Sequence, residues 1–498
     1  MCRRRLGARG ARRITSTSPE GRLQVMTLDA LGRIVISQIG NLAPSTTVYN
    51  PRGRVASVTQ GSGTTARTST FAWDSAKIDQ LVSMTDPLGR TTAFHYDATG
   101  RVDQQTLPDG AILASTFDAS SNLTSLTPPG KPAHTFGYNA IDLETLYTPP
   151  AIASTASLFT QYSYDLDRAL TVETRPGGAA ITRTYDSAGR LVSLAHPLGR
   201  IDYAFEPATG RLASVTATGA GTIAYGHDGR LVTSETLTGG PVSGVLRRAF
   251  DDDFREVSES VDGGTPILMT FDRDNLLVSA GDEVLSREAV TGNISATTLG
   301  NIKTAHTYNS FGEPARDIAE YVAVTLYDAV YDDGGANPRD ALGRLQRFSE
   351  TVQGVTHSYD YVYDTRDRLR DVQIDGFVTR SYTFDENGNR LSKTDGAATT
   401  WYVYDAQDRL LCERFTSGTD CLTSVAVLYA WTPGGNLATR TDAGGMARYQ
   451  YDEVGNLRVR ELLLRHLQIF VDMPDRPDEQ AFLRVSNHQS GAGYPSLQ

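Results

Sequence analysis

The stretch Tyr185-Asp186-Ser187-Ala188-Gly189-Arg190-Leu191 decides how this chain folds. An aromatic suited to a pleated surface is followed by Asp and Gly, which reverse the backbone, and then by Arg and an aliphatic that open a return strand. The pattern comes back along most of the sequence. It is plain at Tyr96, Asp97, Gly100 and Arg101, at Tyr363, Asp364 and Arg368, and at Phe384, Asp385 and Gly388. Further copies stand at Tyr404, Asp405 and Arg409 and at Tyr451, Asp452 and Gly455. Tyr96, Phe117 and Tyr138 are 21 residues apart, and a fixed period of this size is the mark of a repeat architecture.

A second turn signal lies midway through many copies. Examples are Leu107-Pro108-Asp109-Gly110, Arg175-Pro176-Gly177, His196-Pro197-Leu198-Gly199, Asp375-Gly376 and Asp395-Gly396. Each repeat therefore holds two turns and two strands of about six residues. Aromatics two apart precede the first turn, as in Phe94/Tyr96, Tyr162/Tyr164, Tyr361/Tyr363 and Tyr402/Tyr404, and share one face of the sheet. Such a stripe reads as packing rather than a ligand platform. The expected fold is all-β: antiparallel hairpins, about 40 strands from Leu28 to Leu457. Open sheets rarely exceed about ten strands without curling, so the ribbon must coil into a shell or part of one.

The pattern weakens between Asp282 and Asn337, where Tyr327-Asp328 and Tyr331-Asp332 compete and Gly343-Arg344-Leu345 lacks an aromatic at the usual distance. Tyr225 reads as the aromatic of the copy ending in Gly229-Arg230-Leu231. The expected organisation is a basic, disordered leader over 1–20, the array over 21–457 and a non-repeat tail over 458–498. The tail holds an apolar run of ambiguous period, Leu462 to Phe470, and is too short to fold dependably alone.

The net charge is -11 although the first 13 residues carry six Arg and no acid, so the rest is more acidic still. An acidic body argues against nucleic acid as a partner. No apolar stretch of secretory-signal type follows the Arg cluster, and none approaches the ~18 residues of a membrane span. The eight His are scattered without metal-site spacing. The repeated Asp follows a strand at a turn, where its first role is to bind backbone N–H groups two residues on. The Arg after the Gly is expected to pair with that Asp or with the Asp of the next repeat. No phosphate loop, nucleophile elbow or H-E-x-x-H motif appears, so no catalytic, cofactor or metal residue is assigned. Cys412 and Cys421 flank a turn signal at Ser417-Gly418. Two free thiols are the simpler reading and a hairpin-spanning disulfide the alternative.

Tyr185 to Leu191, its sister copies and the Pro-Leu-Gly-Arg turns ending at Arg90 and Arg200 resemble the YD repeat of the Rhs family. That family includes bacterial polymorphic toxins, shell subunits of insecticidal toxin complexes, wall-associated proteins and teneurins. The resemblance implies a β-ribbon spiralling into a hollow shell, which encloses a C-terminal effector in toxin members and forms an adhesion ectodomain core in teneurins. Toxin members follow the repeats with a D-P-x-G type self-cleavage core. Here Asp86-Pro87-Leu88-Gly89 matches it only as an ordinary repeat turn, and no core or effector is recognised after Leu457. The resulting expectation is a non-enzymatic shell scaffold, truncated, split or closed by a second shell chain. It would be exported by a non-classical route and carry an encapsulated polypeptide, with no cofactor. A cell-surface adhesion or carbohydrate-binding module that contacts glycans is the alternative.

Overall fold

The computed structural model describes residues 12–77, 80–152, 158–332, 334, 338–452, 455–464, 467–472 and 482–486, with side chains as far as Leu462. Among these residues there are 43 strands, β1 (Arg12–Thr17) to β43 (Phe482–Ser486), and one 3-10 turn at Gly63–Thr65. Every strand pairs antiparallel with its neighbours in sequence, and β1 does not pair with β43, so the molecule is one continuous meander rather than a closed barrel.

The reason lies in the turns. The Tyr-Asp turn links strands Ala180–Tyr185 and Leu191–His196, and Tyr185 faces Leu191 across a register shift that follows Thr184–Ser193. The same shift recurs at Tyr49–Val55, Tyr96–Val102, Tyr363–Leu369, Tyr404–Leu410 and Tyr451–Leu457. The recurrent "aromatic … aliphatic" spelling is thus a cross-strand pair straddling a β-bulge, and bulges sharpen strand twist. The second turns are tighter, as at Val352–Val355 and Asp395–Ala398.

The aromatic face is half-buried. In Thr91–Tyr96 coverage alternates, with Phe94 and Tyr96 partly covered and Ala93 and His95 exposed. The opposite face carries Thr pairs near the second turns, such as Thr85–Thr91, Thr216–Thr222, Thr351–Thr356 and Thr394–Thr399, each within 2.8–2.9 Å. Few side chains are fully covered, among them Ile181, Ala329 and Cys412. The accessible surface of 30226 Å² compares with about 18,000 Å² for a compact globule of this size. The sheet is one layer thick.

The ladder differs from the expected organisation at both ends. Among the described residues it already runs from Arg12, inside the segment read as a disordered leader, where Arg12–Thr17 pairs with Leu23–Leu28. It also runs past Leu457. The apolar run resolves into strands Leu457–Leu464 and Leu467–Asp472, paired as a hairpin. Residues 1–11 and 487–498 lie outside the described residues.

Candidate functional site

The Tyr-Asp turn is a closed hydrogen-bonded unit. Asp186 Oδ1 accepts from the backbone N–H of Ala188 at 2.9 Å and of Arg190 at 3.0 Å, while Oδ2 accepts from Arg190 Nε at 2.8 Å. Hydrogen bonds from the Arg190 side chain and backbone hold the Asp186 carboxyl below its usual range. Gly189 completes the reversal at φ 75°, a left-handed conformation that favours glycine.

Each unit also grips the next. Tyr185 Oη donates to Leu170 O at 2.8 Å, the first residue of the strand leaving the preceding Tyr-Asp turn, and the Arg190 guanidinium lies 4.4 Å over the Phe205 ring ahead of it. Tyr96 donates to Leu81 O at 3.0 Å, and Arg101 binds Asp97 and covers Phe117, with Gly100 left-handed between them. Tyr363 donates to Leu345 O at 2.8 Å, and Arg368 binds Asp364 and covers Phe384. Asp405 binds Arg409 beside Tyr404. At Asp385 and Asp452 an Asn replaces the Arg, Asn389 and Asn456 reaching the carboxylate at 2.9 and 3.0 Å. The carboxylates of Asp97, Asp186, Asp364, Asp385, Asp405 and Asp452 are therefore each turned into their own loop. Among the described residues no group of three or more His, Cys, Asp or Glu is placed to hold a metal.

Cys412 and Cys421 are joined in a disulfide, in place of two free thiols. The bond closes a loop in which Arg414, 3% exposed, is bound by Asp420.

The two turn classes occupy opposite edges of the ribbon, and the ribbon returns on itself after 23–25 strands. Second turns of the first winding then dock on Tyr-Asp turns of the second. Arg22 binds Asp272 at 2.8 Å and also Asp274, and Arg273 binds Glu20 at 2.9 Å. Arg67 binds Glu313 at 2.6 Å and lies 3.9 Å over Phe311. Arg90 binds Asp367 at 2.7 Å, Lys131 binds Asp408 at 2.9 Å, and Gln407 donates to Pro150 O at 2.6 Å. These partners are 244–277 residues apart in sequence, and they form a seam along the molecule. A cavity of about 480 Å³ opens on the seam beside Arg67, Phe311, Arg339 and Asp340. Its charged groups already pair with Glu313 and Arg344.

Three turn residues escaped the sequence pattern. In the weak region Arg287 takes the aromatic's place opposite Ile294 and donates through Nε and Nη2 to Leu277 O, the same kind of carbonyl that a Tyr hydroxyl reaches elsewhere. Arg339, opposite Leu345, does so to Pro314 O at 3.0 Å, so the Gly343-Arg344-Leu345 copy is complete with Arg for aromatic. Tyr327 and Asp328 sit inside a strand instead. The bulge in the Tyr225 copy falls at His227, which faces Val232, two residues past the expected aromatic. One signal was available: Glu206-x-x-Thr209-Gly210 and Glu288-x-x-Thr291-Gly292 share a spelling, and in both the Thr hydroxyl donates to the Glu.

The chain matches the family model described as Teneurin YD-shell over residues 12–481. It is 24% identical to Teneurin-1 of Mus musculus over 365 residues, covering 64% of this chain and 12% of that protein. It is 30% identical over 115 residues to the tRNA3(Ser)-specific nuclease WapA of Bacillus spizizenii, covering 22% of this chain and 5% of that one. Among solved structures it resembles TcdB2-TccC3, with a TM-score of 0.62 at 14% identity, over 93% of this chain and 32% of that one. The chain thus spans about an eighth or less of these curated relatives and about a third of the solved chain.

Proposed function

This chain belongs to the teneurin YD-shell family, and from that premise we propose that it is a non-enzymatic section of a hollow shell that surrounds a polypeptide. The observation that carries this reading is the seam. A winding of about 24 strands at about 4.8 Å each encircles a space about 37 Å across between backbones, before any strand tilt widens it. That is room for an unfolded or small folded chain. The Asp residues are consumed by their own turns, which supports a scaffold rather than a catalyst. Likeness to TcdB2-TccC3 supports a toxin-type carrier that works outside the cell, with a further shell chain or a payload as partner.

The test is small-angle scattering with limited proteolysis of whatever polypeptide co-purifies. A hollow profile, and a co-purifying polypeptide that resists protease until the shell is unfolded, is the expected result. A solid profile, or a bound polypeptide cleaved as fast as when free, overturns the proposal. Likeness to Teneurin-1 supports an adhesive alternative, which predicts saturable binding on a glycan array by the purified chain alone.

A further inference from the structure

The seam uses one winding's worth of each edge, which leaves two rims uncovered among the described residues. One is the second-turn edge of the second winding. Its hairpin tips are flanked by exposed apolar cross-strand pairs: Leu299 with Ile302, Tyr321 with Val324 and Val352 with Val355, all 46–61% exposed. Phe377 follows at 76%. The seam-forming second turns differ. They carry Arg22, Arg67, Arg90 and Lys131 into carboxylates, and the strand ends beside Arg67 and Arg90 pair Gln60 with Arg67 and Thr85 with Thr91. The other rim is the Tyr-Asp edge of the first winding, where Leu31, Ile141, Leu166 and Phe254 stand 48–103% exposed at turn tips.

An apolar row of this kind on a molecule with so thin a core marks an interaction surface. We infer that the two rims fit each other, so that a second copy of this chain stacks head to tail on the first. The occupant follows from continuity with the seam. There, in one molecule, a second-turn edge already seats on a Tyr-Asp edge, with the side chains at the turn tips, Arg273, Phe311, Arg366 and Gln407, making the contact. The uncovered rims are the same two edges one winding further along at each end, with exposed apolar side chains at or beside several of their turns. Both follow the same spiral ramp, so one molecule's upper rim meets the next molecule's lower rim. The contact is heterologous and does not close.

The inference rests on the fold and not on the proposed cargo. Its test is sedimentation of the full chain from about 1 to 100 µM beside two double variants, Val355→Asp/Phe377→Asp on one rim and Leu31→Asp/Leu166→Asp on the other. The wild-type mass should rise with concentration past the dimer. Each variant alone should associate at least tenfold more weakly with an unchanged circular dichroism spectrum, and an equimolar mixture of the two should recover dimers but nothing longer. A monomer at every concentration overturns the inference. So does assembly abolished by one variant only, or wild-type protein that stays monomeric but floats with neutral phosphatidylcholine vesicles. A hollow scattering profile from a strict monomer would leave the shell reading standing while this one fails.

Discussion

Asp186–Arg190 and Asp405–Arg409 are the same turn in two settings. Both Asp accept the same backbone N–H groups and bind the same Arg four residues on. On the first winding's rim the Asp186 and Arg190 side chains are 23% and 38% exposed. On the seam Asp405 and Arg409 are 9% and 14% exposed, with Pro150 and Lys131 of the earlier winding against their loop. Local sequence makes the turn, while position along the spiral decides whether it also carries load between windings. An ion pair shielded from water is costly to break, whereas an exposed one contributes little.

The largest difference is expected where a seam contact is cut. Arg67→Ala leaves the Glu313 carboxylate only Asn309 and the longer Arg339 contact and uncovers Phe311, and should cost about 2–3 kcal/mol in urea unfolding. Arg190→Ala, which removes the same kind of side chain from the rim, should cost less than half as much. Equal losses would erase the distinction. Next come the turn glycines. Gly189 and Gly343 are both left-handed, but a Cβ on Gly189 meets nothing within 4 Å, whereas one on Gly343 meets Glu313 Oε1 at 2.5 Å and Arg67 Nη1 at 2.9 Å. Gly189→Ala should cost about 1 kcal/mol from backbone strain, and Gly343→Ala about twice that, because the ion pair must shift.

Acid sharpens the same contrast. Burial acts to raise the Glu313 carboxyl, and hydrogen bonds from Arg67 and Asn309 outweigh it, so its pKa is lowered on folding. A carboxylate depressed in the folded state contributes stability that is complete above its unfolded value, near 4.3, and is lost as pH falls through the folded one. Unfolding midpoints should hold down to about pH 5 and then fall, and Glu313→Gln should flatten part of that fall. The smallest effect should not distinguish the regions at all. Tyr185→Phe and Tyr363→Phe each delete one hydroxyl bond directed along the ribbon, to Leu170 O and Leu345 O, and should each cost about 0.5–1.5 kcal/mol.

The strands, the two turn classes and the Asp-to-Arg pairing can be read from the sequence, since each depends on neighbours within one repeat. The seam is not legible there. Arg67 and Glu313 are 246 residues apart, and nothing in either turn's spelling names its partner. Arg287 and Arg339 were missed for a different reason. The position takes a flat side chain, and where it also reaches a carbonyl of the preceding repeat a guanidinium serves as well as a phenol, so the aromatic pattern passes over them. His227 shows the limit of counting, because here the strands run on to pair Asp228 with Leu231 and the bulge falls two residues past Tyr225.

The central claim is that the ribbon winds back upon itself so that turns far apart in sequence touch. Zero-length carbodiimide coupling of the native protein, followed by peptide mass spectrometry, tests it without any substitution. Lys131 Nζ lies 2.9 Å from Asp408 and 3.5 Å from Asp385, and the account predicts amide cross-links from Lys131 to those two loops. Cross-links confined to neighbouring repeats, with Lys131 coupled only to carboxylates in its own or adjacent hairpins, would contradict it.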